Sequence, residues 1–199
     1  MHLVSAFAAG VGLVLGQRAT ARKSNEKTAI PELLSTLALE GCIVTLDAMG
    51  TQANIVQCIR ERGGDYVLAV KDNQPTLADS IRDFHAAFKT APTPTPHTMV
   101  ETVEKDLGRF EIRRCFAFDQ LDCLAHPEQW PGLQSFAVIE SERCINGKTS
   151  FEQRLYISSL PADAKRLAQA VRSHWAVENQ LHWCMDVAFA DDQMRARTG

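Results

Sequence analysis

The 199-residue sequence predicts an α/β fold with parallel strands from the order of its elements, and its composition predicts a globular protein. Short apolar runs typical of strands alternate with helical patterns through residues 1–89, and this alternation favours a parallel sheet. The chain is also 45% hydrophobic and 23% charged, which is ordinary for a globular protein long enough to bury a full core. These fractions exclude a disordered tail, a collagen-like chain and an integral membrane protein.

The first 70 residues contain the alternating elements. Two strands, residues 2–8 and 11–17, lie close enough in sequence to form a hairpin. A helix over residues 29–39 follows, with Pro31 near its start. The remaining predicted elements are a strand over residues 42–46, a helix over residues 51–62 and a strand over residues 66–70.

The pattern changes after Lys71. We predict a helix over residues 76–89, a Pro/Thr-rich loop over residues 90–97 and a long helix over residues 163–187. The β-rich region between them has predicted strands near residues 99–105, 110–118, 135–143 and 152–158. Asn146-Gly147 between the last two is a strong hairpin-turn signal. The chain therefore divides into residues 1–89, a β-rich segment over residues 90–160, and a last part over residues 161–199.

Cysteine usage predicts a reducing compartment. None of the six cysteines forms a Cys-x-x-Cys pair, and a chain of this length does not depend on disulfides. The apolar run over residues 3–15 is too short to span a membrane and has no preceding Lys or Arg. We therefore expect a cytoplasmic protein with no membrane partner.

Four ionisable residues recur at every fourth position of the last predicted helix. They are His174, Glu178, His182 and Asp186, and the first three share one face with the apolar Leu167. A carboxylate on the face that packs against a sheet persists only with a compensating cation or metal. The alternative, a set of i,i+4 pairs on the helix surface, stays open.

Asp47 directly follows a predicted apolar strand. The carboxyl ends of strands in open α/β sheets bind ligands, and an Asp there can hold a divalent cation through oxygen. A second interpretation makes Asp47 the N-cap of the helix near Thr51. Asp47 together with a core-facing Glu178 would form a hard-cation site.

Basic residues are concentrated locally in a chain of formal net charge −3. Residues 17–27 and 105–114 are rich in Lys and Arg, and Arg172 lies on the predicted solvent side of the last helix. Such patches can bind phosphates, although ordinary solvated faces explain each of them equally well.

Several strings resemble the DDE transposases of insertion sequences, specifically the H-repeat-associated family. They include HLVSAFA, TLDAMGTQ, DYVLAVKDNQ, GRFEIRR and RSHWAVENQLHWCMDVAFADD, in the family's order over nearly the whole chain. The resemblance implies an RNase H-like core with a β-rich insertion before the final helix. It also implies two divalent cations, Mg²⁺ or Mn²⁺, held by three carboxylates, with Asp47 as the second Asp and Glu178 as the Glu.

The resemblance further implies DNA as the partner, both element ends and target, and a homo-oligomer in the synaptic complex. A bacterial cytoplasmic protein that joins the nucleoid when bound to DNA is expected. The candidate DNA-binding residues are Lys23, Asn25, Lys71, Asn73, Arg109, Arg113, Arg172 and His174.

Three features depart from the family pattern. No Asp precedes Asp47, whereas the family's first catalytic Asp lies upstream, and the chain stops where relatives continue into further helix. The Tyr, Arg and Lys that often surround the Glu in the wider superfamily are here Val171, His174 and Met185. From the first two departures we expect a fragment truncated at both ends, lacking the first strand and catalytically incomplete. The third indicates only that this subgroup differs around the Glu.

Two other functions remain open. One is a DNA-binding remnant without catalysis. The other is a transition-metal-binding α/β domain that uses His174, Glu178 and His182, because imidazoles suit Zn²⁺ whereas oxygen ligands suit Mg²⁺.

Overall fold

The computed structural model describes residues 2–20, 26–106 and 109–177. Within these residues, eight strands form a two-stranded sheet and a six-stranded mixed sheet, and four α-helices accompany them, which confirms the predicted α/β class at this level. In chain order they are β1 (His2–Ala8), β2 (Leu13–Thr20), α1 (Glu26–Ser35), β3 (Ile43–Leu46), α2 (Ala53–Glu61), β4 (Asp65–Val70), α3 (Pro75–Thr90), β5 (Thr98–Asp106), β6 (Arg109–Phe118), β7 (Ser135–Ile145), β8 (Lys148–Ser158) and α4 (Ala164–Val177).

The first two strands form the predicted antiparallel hairpin, with a bulge between Ala6 and Phe7. The hairpin packs on α1, where a Cβ at Gly16 would lie 3.0 Å from Cδ1 of Leu33. The bare backbone of Gly16 therefore allows this close approach of helix and strand.

The predicted bounds of α1 were wrong. The helix already includes Glu26 and ends at Ser35, so Pro31 lies inside it rather than near its start. The hydroxyl of Ser35 donates to the carbonyl of Glu32, and that of Thr36 donates to the carbonyl of Leu33. These side chains satisfy carbonyls at the end of the helix, which explains why it stops before residue 39.

The six-stranded sheet has the order β3-β4-β8-β7-β6-β5. Only β3 and β4 are parallel, as the alternating elements of the first half predicted. The strands β5 to β8 form an antiparallel meander, and β8 joins it to β4 through an antiparallel pairing. The sheet is therefore a short parallel unit extended by a β-rich unit.

Asn146 and Gly147 form the predicted two-residue turn between β7 and β8. Their φ angles are 49° and 77°, and positive φ at both central positions is the type I′ geometry that matches strand twist. Both strands run up to this turn, so they extend beyond the predicted ends by two and four residues.

Helices α2 and α3 cover one face of the sheet over an aromatic cluster. Phe118 is fully buried at its centre, with ring centroids 5.1 Å from Phe84, 5.1 Å from Phe88 and 5.2 Å from Phe136. Edge-to-face and offset contacts at these separations are favourable beyond simple burial.

Helix α4 covers the opposite face, where the strands carry small side chains. Cys115, Ala117 and Ala137 lie beneath Leu167 and Val171 of the helix. Burial raises the pKa of the Cys115 thiol to about 12, so the thiol stays protonated and packs as an apolar group. None of the described helices is both long and apolar enough to cross a membrane.

Replacing Phe118 by Ala tests the aromatic cluster. The substitution removes a buried ring and should lower the free energy of unfolding by about 3–5 kcal/mol. Phe151 is 77% exposed, so Phe151→Ala is the matched control and should change that free energy by less than about 0.5 kcal/mol. Urea denaturation measures both variants, and equal effects would contradict the assignment of Phe118 to the core.

His85 should make stability depend on pH. Its side chain is 3% exposed, and burial lowers its pKa below 6.5, while Glu140 opposes the shift and Lys89 adds to it. As the pH falls, the unfolded chain therefore takes up this proton before the folded chain does. The stability contributed by neutral His85 is present above about pH 6.5 and is lost as the pH falls toward its folded pKa.

The measurement is the urea midpoint at about pH 7 and about pH 5. His85→Leu should lose less stability across this interval than the wild type. His126 is 67% exposed, and His126→Asn should keep the wild-type dependence. An unchanged pH dependence in His85→Leu would refute this role of His85.

Candidate functional site

Asp47 lies at the carboxyl end of β3 and its side chain is exposed. Its Oδ1 accepts hydrogen bonds from the backbone N–H groups of Met49 and Gly50, at 3.1 and 3.3 Å. Asp47 therefore caps a short 3₁₀ turn over Ala48–Gly50, whereas Gln52 is the N-cap of α2. The capping interpretation was right about the role and wrong about which helical element is capped.

The loop after Asp47 is fixed to the loop after β4. The buried Thr51 hydroxyl donates to the carbonyl of Ala69 at 2.6 Å, and Gln74 Nε2 donates to the carbonyl of Thr51 at 3.1 Å. Asn73 Nδ2 donates to the carbonyl of Ala48. These bonds give Asp47 a rigid support, and they show that the Asn73 amide contacts the protein backbone.

A cavity of about 110 Å³ lies where the carboxyl ends of β3 and β4 meet the middle of β8 and the last turns of α4. Asp47 from β3, Lys71 from the end of β4 and His174 from α4 all line it. Arg154 from β8 and Trp175 from α4 also line it. The fold thus brings three of the predicted site residues together from distant parts of the chain.

The end of α4 contacts both sides of this cavity. His174 Nδ1 is 3.1 Å from the Thr45 hydroxyl on β3, two residues before Asp47. The guanidinium carbon of Arg154 is 4.3 Å from the centre of the Trp175 ring. Glu178 lies outside the described residues, as do Lys23, Asn25, His182 and Asp186.

The described residues supply one carboxylate suited to a metal. Within residues 2–20, 26–106 and 109–177, no three His, Cys, Asp or Glu side chains cluster as a metal site would require. Glu152 also lines the cavity, but its two oxygens accept from Arg154 at 2.7 and 3.1 Å. Neither hydrogen bond to Asp47 uses Oδ2, so Asp47 fits a hard cation that takes oxygen ligands.

Arg113 and Arg172, two further predicted DNA-binding residues that the structure describes, do not line the cavity. Arg113 forms ion pairs with Glu111 at 2.9 Å and Glu104 at 3.6 Å, and Arg172 also pairs with Glu104. Arg109 begins β6, and its side chain is outside the described part of the structure. Arg113 lies on β6 of the meander and does not line the cavity beside Asp47.

Sequence reasoning missed Thr45 and Arg154. Thr45 lies two residues before Asp47, and the period-two alternation of a strand places both on one face, which is a usable signal. Arg154 and Tyr156 alternate in the same way on β8. Arg154 and Tyr156 lie near Asp47 because β8 pairs with β4, and no local sequence pattern predicts that pairing.

Comparison with known proteins identifies the family. The family model described as "Transposase DDE domain" matches residues 1–199. The protein "H repeat-associated putative transposase YhhI" of Escherichia coli K12 is 41% identical over 205 residues, covering 100% of this chain and 53% of that protein. "Putative protein YbfL" from the same strain is 42% identical, also with 100% and 53% coverage.

A third relative comes from another bacterium. The "Uncharacterized protein in dhlA 3'region" of Xanthobacter autotrophicus is 42% identical over 163 residues, covering 82% of this chain and 54% of that protein. The chain thus spans about half the length of these relatives. No solved structure gives a significant match. Because the family model matches from the first residue to the last, the chain belongs to the transposase DDE domain family.

Proposed function

We propose that this chain contributes Asp47 and Glu178 to a divalent-cation site that cuts and joins DNA strands during transposition of an insertion sequence. One observation carries the proposal: His174 Nδ1 lies 3.1 Å from the Thr45 hydroxyl. This contact holds the last described turn of α4 two residues from Asp47 along β3. Glu178 follows His174 by four residues in the sequence.

In this proposal residues 1–89 and 161–199 form an RNase H-like core, and residues 90–160 form a β-rich insertion. Among the described residues, β1 pairs only with β2 and β3 only with β4, so each sheet has a free edge. A further strand between those edges would unite the two sheets and supply the third carboxylate. No Asp precedes Asp47 in the sequence, so in this proposal residues 1–46 do not supply the third carboxylate and the 199 residues alone are catalytically incomplete.

Two Mg²⁺ or Mn²⁺ ions, when bound, would activate a water or a DNA 3′-hydroxyl and stabilise the leaving oxygen. The chain's own residues would orient the reaction. Asp47 is held by its two backbone hydrogen bonds, so its free oxygen needs little reorganisation to bind a cation. The Thr45 hydroxyl and His174 would keep the helix end in place beside it.

DNA would approach the cavity beside Lys71. Among the described residues, Lys71 has no ion-pair partner, and it lies one strand away from Asp47 at the same end of the sheet. A Lys in that position can bind a backbone phosphate next to the cations. Binding of DNA by Lys23, Asn25, Asn73, Arg109, Arg113, Arg172 and His174 remains a prediction, as does a homo-oligomeric synaptic complex in the bacterial nucleoid.

Mn²⁺ binding to the 199-residue chain tests the carboxylate pair. Asp47→Asn and Glu178→Gln should each weaken Mn²⁺ binding at least tenfold, about 1.4 kcal/mol, in an electron paramagnetic resonance titration. Asp119 follows β6 as Asp47 follows β3, and it is exposed, so Asp119→Asn is the matched control and should bind as the wild type does.

The substitution Asp47→Asn keeps an oxygen that can cap the 3₁₀ turn. Its stability should therefore match the wild type, whereas Asp47→Ala should lose about 1 kcal/mol. Wild-type Mn²⁺ affinity in Asp47→Asn would contradict the proposal. Preferential Zn²⁺ binding that disappears in His174→Ala and His182→Ala would support the transition-metal alternative instead.

Lys71 provides a separate test of DNA binding. Replacing it with Met should reduce the slope of log affinity against log salt for duplex DNA by about one unit, because one phosphate contact is lost. Lys89 is 45% exposed and pairs with Glu140 at 2.7 Å, so Lys89→Met is the control and should keep the wild-type slope. Equal slopes in the wild type and Lys71→Met, measured by fluorescence anisotropy, would exclude the proposed phosphate contact.

A further inference from the structure

Arg154 is held in a fixed orientation beside the cavity. Its Nε and Nη2 donate to the two carboxylate oxygens of Glu152, and its guanidinium lies over the Trp175 ring. Its side chain is 30% exposed. A bidentate carboxylate bond combined with stacking on an aromatic face uses the planar geometry of Arg, which Lys cannot reproduce.

Tyr156 lies beside the contact between Arg154 and Trp175. It is 6% exposed and pairs with Ala69 on β4. Burial raises the pKa of its hydroxyl, and interactions with Arg154 and with the Trp175 side chain oppose that rise. Arg154, Tyr156 and Trp175 therefore form one packed group that connects α4 to β8.

This group differs from a phosphate-binding site. A phosphate that approached Arg154 would have to compete with both Glu152 hydrogen bonds and with the Trp175 stacking. The contact of Arg154 with Trp175 connects it to the end of α4. Arg154 is thus suited to act through Trp175 rather than on DNA directly.

The end of α4 makes side-chain contacts on two sides. Neighbouring residues in a helix point about 100° apart, so His174 and Trp175 reach different strands. His174 contacts Thr45 on β3, and Trp175 contacts Arg154 on β8, with β4 lying between those strands. A helix held at two points around its circumference cannot rotate about its axis without breaking one contact.

We propose that Arg154 and Trp175 are positioning residues that fix the rotation of α4, and thereby the approach of Glu178 to Asp47. The inference rests on the proposed function, because the contact between Arg154 and Trp175 would serve to align the two proposed carboxylates. Glu178 follows Trp175 by three residues in the sequence, so in this proposal its approach to Asp47 depends on how α4 is oriented at Trp175. Loss of the contact would leave both carboxylates present but poorly aligned for a shared cation.

Mn²⁺ affinity and local hydrogen exchange test the proposal together. Trp175→Ala and Arg154→Met should weaken Mn²⁺ binding about tenfold and speed amide exchange at residues 172–177. Trp175→Phe keeps an aromatic face and should restore binding to within about twofold of the wild type. Arg154→Lys keeps the charge without the planar stacking and should resemble Arg154→Met.

Arg60→Met is the matched control. Arg60 is 32% exposed and pairs with Asp65 at 2.5 Å, but it does not line the cavity. This variant can lose stability through a broken ion pair, yet it should keep wild-type Mn²⁺ affinity and wild-type exchange in α4. An equal loss of affinity in Arg60→Met would show that general destabilisation explains the effect, and would overturn the proposal.

The two readouts separate this proposal from the proposed function. Wild-type Mn²⁺ affinity in Asp47→Asn would refute the carboxylate site and with it the purpose of the contact. If binding depends on Asp47 but Trp175→Ala and Arg154→Met bind Mn²⁺ normally, the positioning role alone is refuted. Unchanged exchange at residues 172–177 in Arg154→Met would refute it independently of any metal.

Discussion

The antiparallel pairing of β4 with β8 is the contact on which the rest of the structure depends. It joins the short parallel unit to the meander through four residue pairs, from Val67 with Ser158 to Val70 with Leu155. Buried hydroxyls reinforce it, since Ser158 donates to the Tyr66 carbonyl at 2.7 Å and Ser159 accepts from the Tyr66 N–H at 2.9 Å. These bonds satisfy backbone groups that water cannot reach, so they fix the register as well as the pairing.

That register determines which side chains lie near Asp47. Because Leu155 lies opposite Val70, Arg154 reaches the end of β4, where Lys71 follows the strand. Helix α4 can then lie across both units, over small side chains on the meander and over Val67 on β4. A slip of one residue would turn Arg154 to the opposite face of the sheet and remove its contact with Trp175.

Local patterns in the sequence predicted helices and strands. They did not predict which strands pair when those strands are far apart in the chain. Asn146-Gly147 predicted the β7–β8 turn because positive φ at two successive positions strongly favours these residues. Asp47 was found because an Asp that follows an apolar strand is recognisable from sequence alone. The neighbourhood of Arg154 and Asp47 could not be predicted, since the two residues are brought together by β4–β8 pairing across a long stretch of chain.

The surface charge of residues 105–114 also could not be predicted from the local sequence. The stretch over residues 105–114 is rich in Lys and Arg in sequence, but sheet register places Glu101 opposite Arg114, and Glu104 pairs with Arg113. Sequence proximity therefore overstated the positive charge that this surface can offer to a phosphate.

The cavity presents a different balance of charge. Lys71 has no ion-pair partner among the described residues, and it stands at the strand end beside Asp47, whereas Arg154 is committed to Glu152 and Trp175. In the proposed function, Lys71 beside a cation-binding carboxylate would place positive charge on both sides of a phosphodiester. The surface that binds DNA would then depend on which cations have no acidic neighbour after folding, rather than on where Lys and Arg are densest in the sequence.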